Sequence, residues 1–303
     1  MRLITFVKEA NDRLGMITPQ GVVDLLQASD ILGSEDRQAA EKNSFFHDIG
    51  AFLSGGDQAT NLALRLLGQR GLVYLPLESL QLRPPVPNPA KILCIIANSK
   101  LRTEGAKFPI PAFPMFFSKF PHCLVEPGGA VLLPKISQKV ENEIELAVVI
   151  GKSGKYIQRA QAMDHVAGYT IINDISFRDL GKVPALDSTM EPLKDWMKNK
   201  SLDRSAPMGP WLVLKDEISD PHCLRLTLKV NGEVLQDGNT QDMLYGIPEI
   251  IEFASKGITL EVGDVIATGT CSRVGAHKFL KNGDEIEAEI EGIGVLRHSA
   301  AVE

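Results

Sequence analysis

VENEIELAVVIG, residues 140–151, is the stretch on which the reading of this chain turns. Read as a strand, its side chains alternate between two faces. Glu141, Glu143 and Glu145 then share one face with Ala147 and Val149, while Asn142, Ile144, Leu146 and Val148 take the other. Like charges so close together repel, and burial deepens the penalty. Two arrangements satisfy the pattern. Either a strand end runs into water with its glutamates hydrated, or a hard cation such as Mg2+ or Ca2+ neutralises them.

A second apolar run, GYTIINDISFRDL (168–180), stops at Asn173–Asp174. Asp174 is there either as a helix cap or as a third carboxylate for the same cation. Arg178 follows closely enough to meet an acidic ligand.

Outward from these runs the chain alternates strand and turn. LITFV, RLGMIT and GVVDLL are short N-terminal strands, and FFHDIGAFLSGGDQATNLALRLLGQ has helical spacing broken at Gly55–Gly56. QLRPPVPNPAK is an extended connector, which places a boundary near Pro89 between a small N-terminal domain (1–89) and a larger one (90–303). Beyond it KILCII, AVLLP, PWLVL, LRLTLKVNGEV, DVIATGT and EIEAEIEGIGVL read as strands. RAQAMDHV, the region 189–199 and IPEIIEFASKG read as helices. No βαβ rhythm and no GxGxxG or GxxxxGK loop is present, so a doubly wound nucleotide-binding fold is excluded. The expected class is α+β, rich in strand.

The 303 residues are 44% apolar and 23% charged, with a net charge of −6. That balance suits a globular protein and gives no basic face for nucleic acid. Cys94, Cys123, Cys223 and Cys271 form no CxxC pair and are expected as free thiols in a reducing compartment. MRLITFVKEA has the character of neither a signal peptide nor a membrane span, so the expectation is a cytoplasmic protein without a membrane partner.

GKSGKYI, AMDHVAGYTIINDISFRD, PMGPWLV, VNGEVLQDGNTQDM and GDVIATGT, together with ELAVVIG, resemble the fumarylacetoacetate hydrolase family over about residues 91–297. The N-terminal strands resemble the small domain that many members carry. The resemblance implies a mixed β-roll catalytic domain, a homodimer and a small oxo-acid substrate. It implies a divalent cation, Mg2+ or alternatively Mn2+ or Ca2+, on Glu143, Glu145 and Asp174. Glu141 falls one strand repeat too early and is expected beside the site or in solvent. By the same motifs Arg178, in Ser176–Asp179, and Lys200, in Asn199–Asp203, bind substrate and take part in catalysis. Thr270, in Gly269–Cys271, binds substrate.

The chain also departs from that family. Where hydrolytic members carry NYxxHxxE, whose His and Glu are thought to activate a water, this chain reads Asn98–Ser99–Lys100–Leu101–Arg102–Thr103–Glu104–Gly105. Arginine stays protonated at neutral pH and is no general base. Asn142 replaces an aromatic residue, Leu180–Gly181 replaces a frequent Gln, and the loop after Thr270 reads Cys271–Ser272–Arg273. Glu104, one position off, and His122 are candidate replacement catalytic groups, with a partly exposed loop histidine as the plainer reading of His122. Arg102 is a candidate for a second substrate carboxylate. The first expectation is metal-dependent C–C bond cleavage in an acylpyruvate-like or 1,3-dicarbonyl acid. The alternatives are a decarboxylase, keto–enol tautomerase, isomerase or dehydratase of the same fold, or a binding protein that has lost catalysis.

Overall fold

The computed structural model describes residues 1–100, 110–184 and 193–303. The architecture is α+β and strand-rich, as expected. Among the described residues the larger sheet has ten strands. Its path runs Gly21–Asp24, Asn11–Thr18, Arg2–Lys8, Ala206–Leu214, Val166–Asn173, Ile144–Ile150, Val265–Ala267, Ile92–Ile96, Met115–Lys119, with Leu124–Val125 paired to Ala206–Leu214. A five-stranded sheet runs Glu233–Asn239, Arg225–Val230, Glu285–Ile290, Gly294–Val302, Ala130–Leu133.

Ile144–Ile150 lies inside the larger sheet and is buried along its whole length. Leu146, Val148 and Ile150 face a core shared with the smaller sheet and the helix Ile247–Ala254. Ala147 and Val149 face a second core, with Phe52, Leu62 and Leu66 of the N-terminal helices Ile49–Ser54 and Gly56–Leu67. A strand covered on both faces needs no polar alternation, which is why it reads as a continuous apolar run.

The boundary expected near Pro89 separates the N-terminal segment in sequence, but the sheet and the packing run across it. Arg2–Lys8 pairs antiparallel with Ala206–Leu214, setting Leu3 opposite Leu212. Three expectations about single elements are corrected. Arg159–His165 is a 3-10 helix. Within 189–199 the described helix begins only at Trp196, after a short strand Leu193–Lys194. LRLTLKVNGEV is a hairpin, because Asn231 and Gly232 both take positive φ and reverse the chain in two residues.

Pairing directions bring one end of four strands together. Ile92–Ile96 and Val265–Ala267 run parallel. Ile144–Ile150 runs opposite to Val265–Ala267 and to Val166–Asn173. The start of Ile144–Ile150 therefore meets the ends of the other three. Glu143, Asp174, Thr268–Thr270 and Asn98 all sit just beyond those ends.

Candidate metal centre

VENEIELAVVIG is two strands, not one. Val140–Glu141 pairs with Ser176–Phe177, and Ile144–Ile150 begins after a break at Asn142–Glu143. Asn173 holds the break open. Its Oδ1 accepts from Glu143 N at 2.8 Å and its Nδ2 donates to Asn142 Oδ1 at 2.8 Å. Asp174 N donates to Glu143 O at 2.8 Å. The expected single face of three glutamates is thereby split. Glu141 is buried, but it turns to Arg178, Arg273 and His277.

Glu143, Glu145 and Asp174 are all buried, and each offers an oxygen within 4.8 Å of the others. Burial, and then the charges of Asp174 and Glu143, push the Glu145 carboxyl well above the usual carboxylate range, with the Lys200 charge opposing. Gly269 N donates to Glu145 Oε2 at 2.7 Å. Gly269 suits this turn because its φ is +96° and a Cβ there would stand 2.8 Å from Asn98 Cβ. Ser176 Oγ donates to Glu143 Oε2 at 3.0 Å.

Three cations answer these carboxylates. Lys200 Nζ lies 2.5 Å from Glu143 Oε2 and also donates to Asp174 Oδ2. Burial works against the Lys200 charge, but Asp174 and Glu143 outweigh it and raise the pKa. Arg178 bridges Glu141 and Glu143. Lys119, at the end of Met115–Lys119, is buried with Nζ 3.1 Å from Asp174 Oδ1. That oxygen makes no hydrogen bond of acceptable geometry, so one buried carboxylate lone pair is left open. Oxygen-only donors, convergent and buried, with an orphaned carboxylate oxygen among them, fit a hard divalent cation.

The triad opens into a cavity of about 230 Å3 lined also by Asn98, Phe117, Arg178, Trp196, Lys200 and Thr270. Phe117 and Trp196 stack with ring centroids 5.4 Å apart, and Lys200 Nζ stands 5.1 Å from the Phe117 centroid. A larger surface cleft of about 860 Å3, along Leu133 and Val302, contains none of the triad.

Of the residues singled out from sequence, Glu143, Glu145, Asp174, Arg178, Lys200 and Thr270 thus converge on one cavity. Arg102 and Glu104 lie outside the described residues. His122 stands apart: its side chain is 52% exposed, it lies 3.5 Å from Asp203, and it does not line the cavity. It lies on the 3-10 helix Pro121–Cys123, so the described cavity lining gives its candidacy as a base no support. Lys119 and Gln236 went unread. Lys119 lies in none of the runs quoted above and Gln236 in VNGEVLQDGNTQDM, but the burial of Lys119 against Asp174 and of Gln236 against Ile144 and Thr270 is a tertiary fact.

Strand ends thus converge on a buried oxygen triad that could hold a metal ion, beside a small cavity rich in cations. Residues 91–301 match the model for the fumarylacetoacetate (FAA) hydrolase C-terminal domain, and the chain belongs to the fumarylacetoacetate hydrolase family. It is 42% identical over 253 residues to the oxaloacetate tautomerase YisK of Bacillus subtilis (strain 168), covering 81% of each chain. It is 40% identical over 251 residues to the mitochondrial oxaloacetate tautomerase FAHD2A of Bos taurus, covering 81% of this chain and 77% of that protein. The maleylpyruvate hydrolase from Sphingobium sp. SYK-6 superposes with a TM-score of 0.78 at 27% identity over 100% of both chains. That hydrolase also has a structure in complex with manganese(II) and pyruvate. No helix among the described residues is long and apolar enough to cross a membrane.

Proposed function

We propose that this enzyme is a divalent-metal-dependent keto–enol tautomerase of a small 2-oxo dicarboxylic acid of the oxaloacetate type. The observation that carries the reading is the make-up of the cavity. Its described lining presents ammonium, guanidinium, carboxylate and hydroxyl groups beside the triad and no histidine. The sequence agrees, with Arg102 and Gly105 where hydrolytic relatives carry His and Glu. Tautomerisation moves a proton between C3 and the 2-oxo oxygen and needs no activated water. The tautomerase names of the relatives above support the same choice over C–C cleavage.

Glu143, Glu145 and Asp174 would hold the cation, which when bound polarises a 2-oxo carbonyl and favours its enolate. Lys200 keeps an ammonium proton within reach of an oxygen that gains charge in the enolate. Arg178 and Thr270 offer donors to a carboxylate. Phe117 and Trp196 wall the cavity and limit water. A volume of about 230 Å3 suits a four-carbon acid better than a long acyl chain.

The test follows enol absorbance of oxaloacetate with Mg2+, Mn2+ or Ca2+ and with chelator, alongside CO2 release and acylpyruvate cleavage. Metal-dependent tautomerisation that outpaces the other two reactions supports the reading. Acylpyruvate cleavage as the faster reaction returns the hydrolase, and tight ligand binding without turnover leaves a binding protein.

A further inference from the structure

Gln236, on the strand Glu233–Asn239 of the smaller sheet, is 2% exposed and reaches the floor of the metal centre. Its Oε1 accepts from Ile144 N at 3.1 Å. Its Nε2 donates to Thr270 Oγ1 at 2.8 Å and to Cys271 O at 3.2 Å. A backbone N–H only donates and a backbone carbonyl only accepts. Those two fixed partners permit one orientation of the amide, since a flip would set N–H against N–H and oxygen against oxygen. The amide nitrogen therefore faces Thr270, and the Thr270 oxygen is obliged to accept. A hydroxyl carries one hydrogen, and no described residue accepts the one on Thr270. Thr270 is 6% exposed and lines the cavity.

We infer that Gln236 is a positioning residue that locks Thr270 as a hydrogen-bond donor toward the cavity, so that the site selects an acceptor-only group, a ligand carboxylate, at that position. The inference rests on the reading of the cavity as a 2-oxo acid site, and it adds how one end of the acid is recognised. The polarity passes from the backbone between Glu143 and Glu145, through one amide, to the ligand. It links the strand carrying the metal ligands to the carboxylate contact.

The test uses oxalate as a non-reacting probe, titrated calorimetrically into the full-length protein saturated with Mg2+. Thr270→Val is expected to weaken oxalate about tenfold, the size of one charge-assisted hydrogen bond, and Thr270→Ser to stay within about threefold. Gln236→Glu, when ionised, presents only acceptors, turns the Thr270 hydrogen away from the cavity, and is expected to cost about tenfold as well. The decisive arm is the double variant: in the Thr270→Val background, Gln236→Glu should add less than about twofold. Mg2+ affinity without oxalate should change by less than about threefold in every variant, which a general collapse of the site would not allow. If Gln236→Glu does not fold, Gln236→Met removes the lock at similar volume, and the same cancellation is expected. An undiminished effect of either Gln236 variant in the Thr270→Val background overturns the inference, as does a wild-type protein that binds no oxalate. Oxalate is not turned over. Cancellation in a protein without tautomerase activity upholds the lock and sinks only the tautomerase reading.

Discussion

Lys200 is a lysine that the surrounding sequence presents as one of a solvated group, Lys194, Lys198 and Lys200, yet it is buried with its ammonium between Glu143 and Asp174. Its partners keep it charged. Lys200→Met should lower kcat on oxaloacetate by about 100-fold or more, the usual size of a lost acid or charge stabiliser, as steady-state kinetics would show. Glu143→Gln removes a carboxylate from the triad and should weaken Mg2+ binding by about 100-fold or more in calorimetry, since even losses outside the direct ligands cost 10–100-fold. Unchanged Mg2+ affinity there would sink the site assignment. Lys119 is a different case. Lys119→Met leaves Asp174 paired with Lys200 alone and its Oδ1 buried without a cation, so it should destabilise the metal-free protein by about 1–3 kcal/mol in urea unfolding. Added Mg2+ should restore part of that loss by answering Asp174 in its place.

At the scale of elements, the centre depends on a strand that breaks at the right residue. Asn173, the last residue of Val166–Asn173, fastens the break at Asn142–Glu143, and its Nδ2 also donates to His298 Nε2 at 2.9 Å. His298 belongs to Gly294–Val302, so the smaller sheet buttresses the strand break at Asn142–Glu143 through this side chain. Burial pushes the His298 pKa from 6.5 down to about 4. Between those values the unfolded chain binds a proton that the folded chain refuses. Stability is therefore fully present above about pH 6.5, falls as the pH drops toward 4, and levels off below it, a loss of about 3 kcal/mol from this group. His298→Gln keeps an acceptor for Asn173 and should lose about 3 kcal/mol less than wild type across that window in urea titrations. Equal losses in both proteins would mean that His298 is not held neutral.

For the whole molecule, the N-terminal segment is part of the frame around the centre. Arg2–Lys8 extends the sheet that carries Glu145 and Asp174, and the helices Ile49–Ser54 and Gly56–Leu67 cover the face presented by Ala147 and Val149. Residues 90–303 alone would expose Ala147, Val149, Met208 and Leu212, all buried in that shared core. Truncation before Lys91 should therefore give a chain that aggregates or unfolds well below the full-length protein in a thermal melt. The full-length protein should melt in one transition by near- and far-ultraviolet dichroism, and two separated transitions would count against a shared core.

Local pattern was enough for much of this. A doubly covered strand reads as an apolar run, and ordered motifs carried the family and pointed to Glu143, Glu145, Asp174, Arg178, Lys200 and Thr270, whereas the turn at Asn231–Gly232 was read through as strand. The apolar run and the motifs are written in neighbouring residues or in their spacing. Strict alternation misread Glu141, because Asn173, thirty-one positions beyond Asn142, breaks the strand between Glu141 and Glu143. The buried Lys119, the distance of His122 from the cavity and the one-way amide of Gln236 were equally invisible. Such facts depend on which distant strands pair and what they bury together. Sequence by itself determined the chemistry available to this protein. Tertiary structure decided which charges would meet out of water, where an unpaired ion is too costly to stand alone and every donor must find an acceptor.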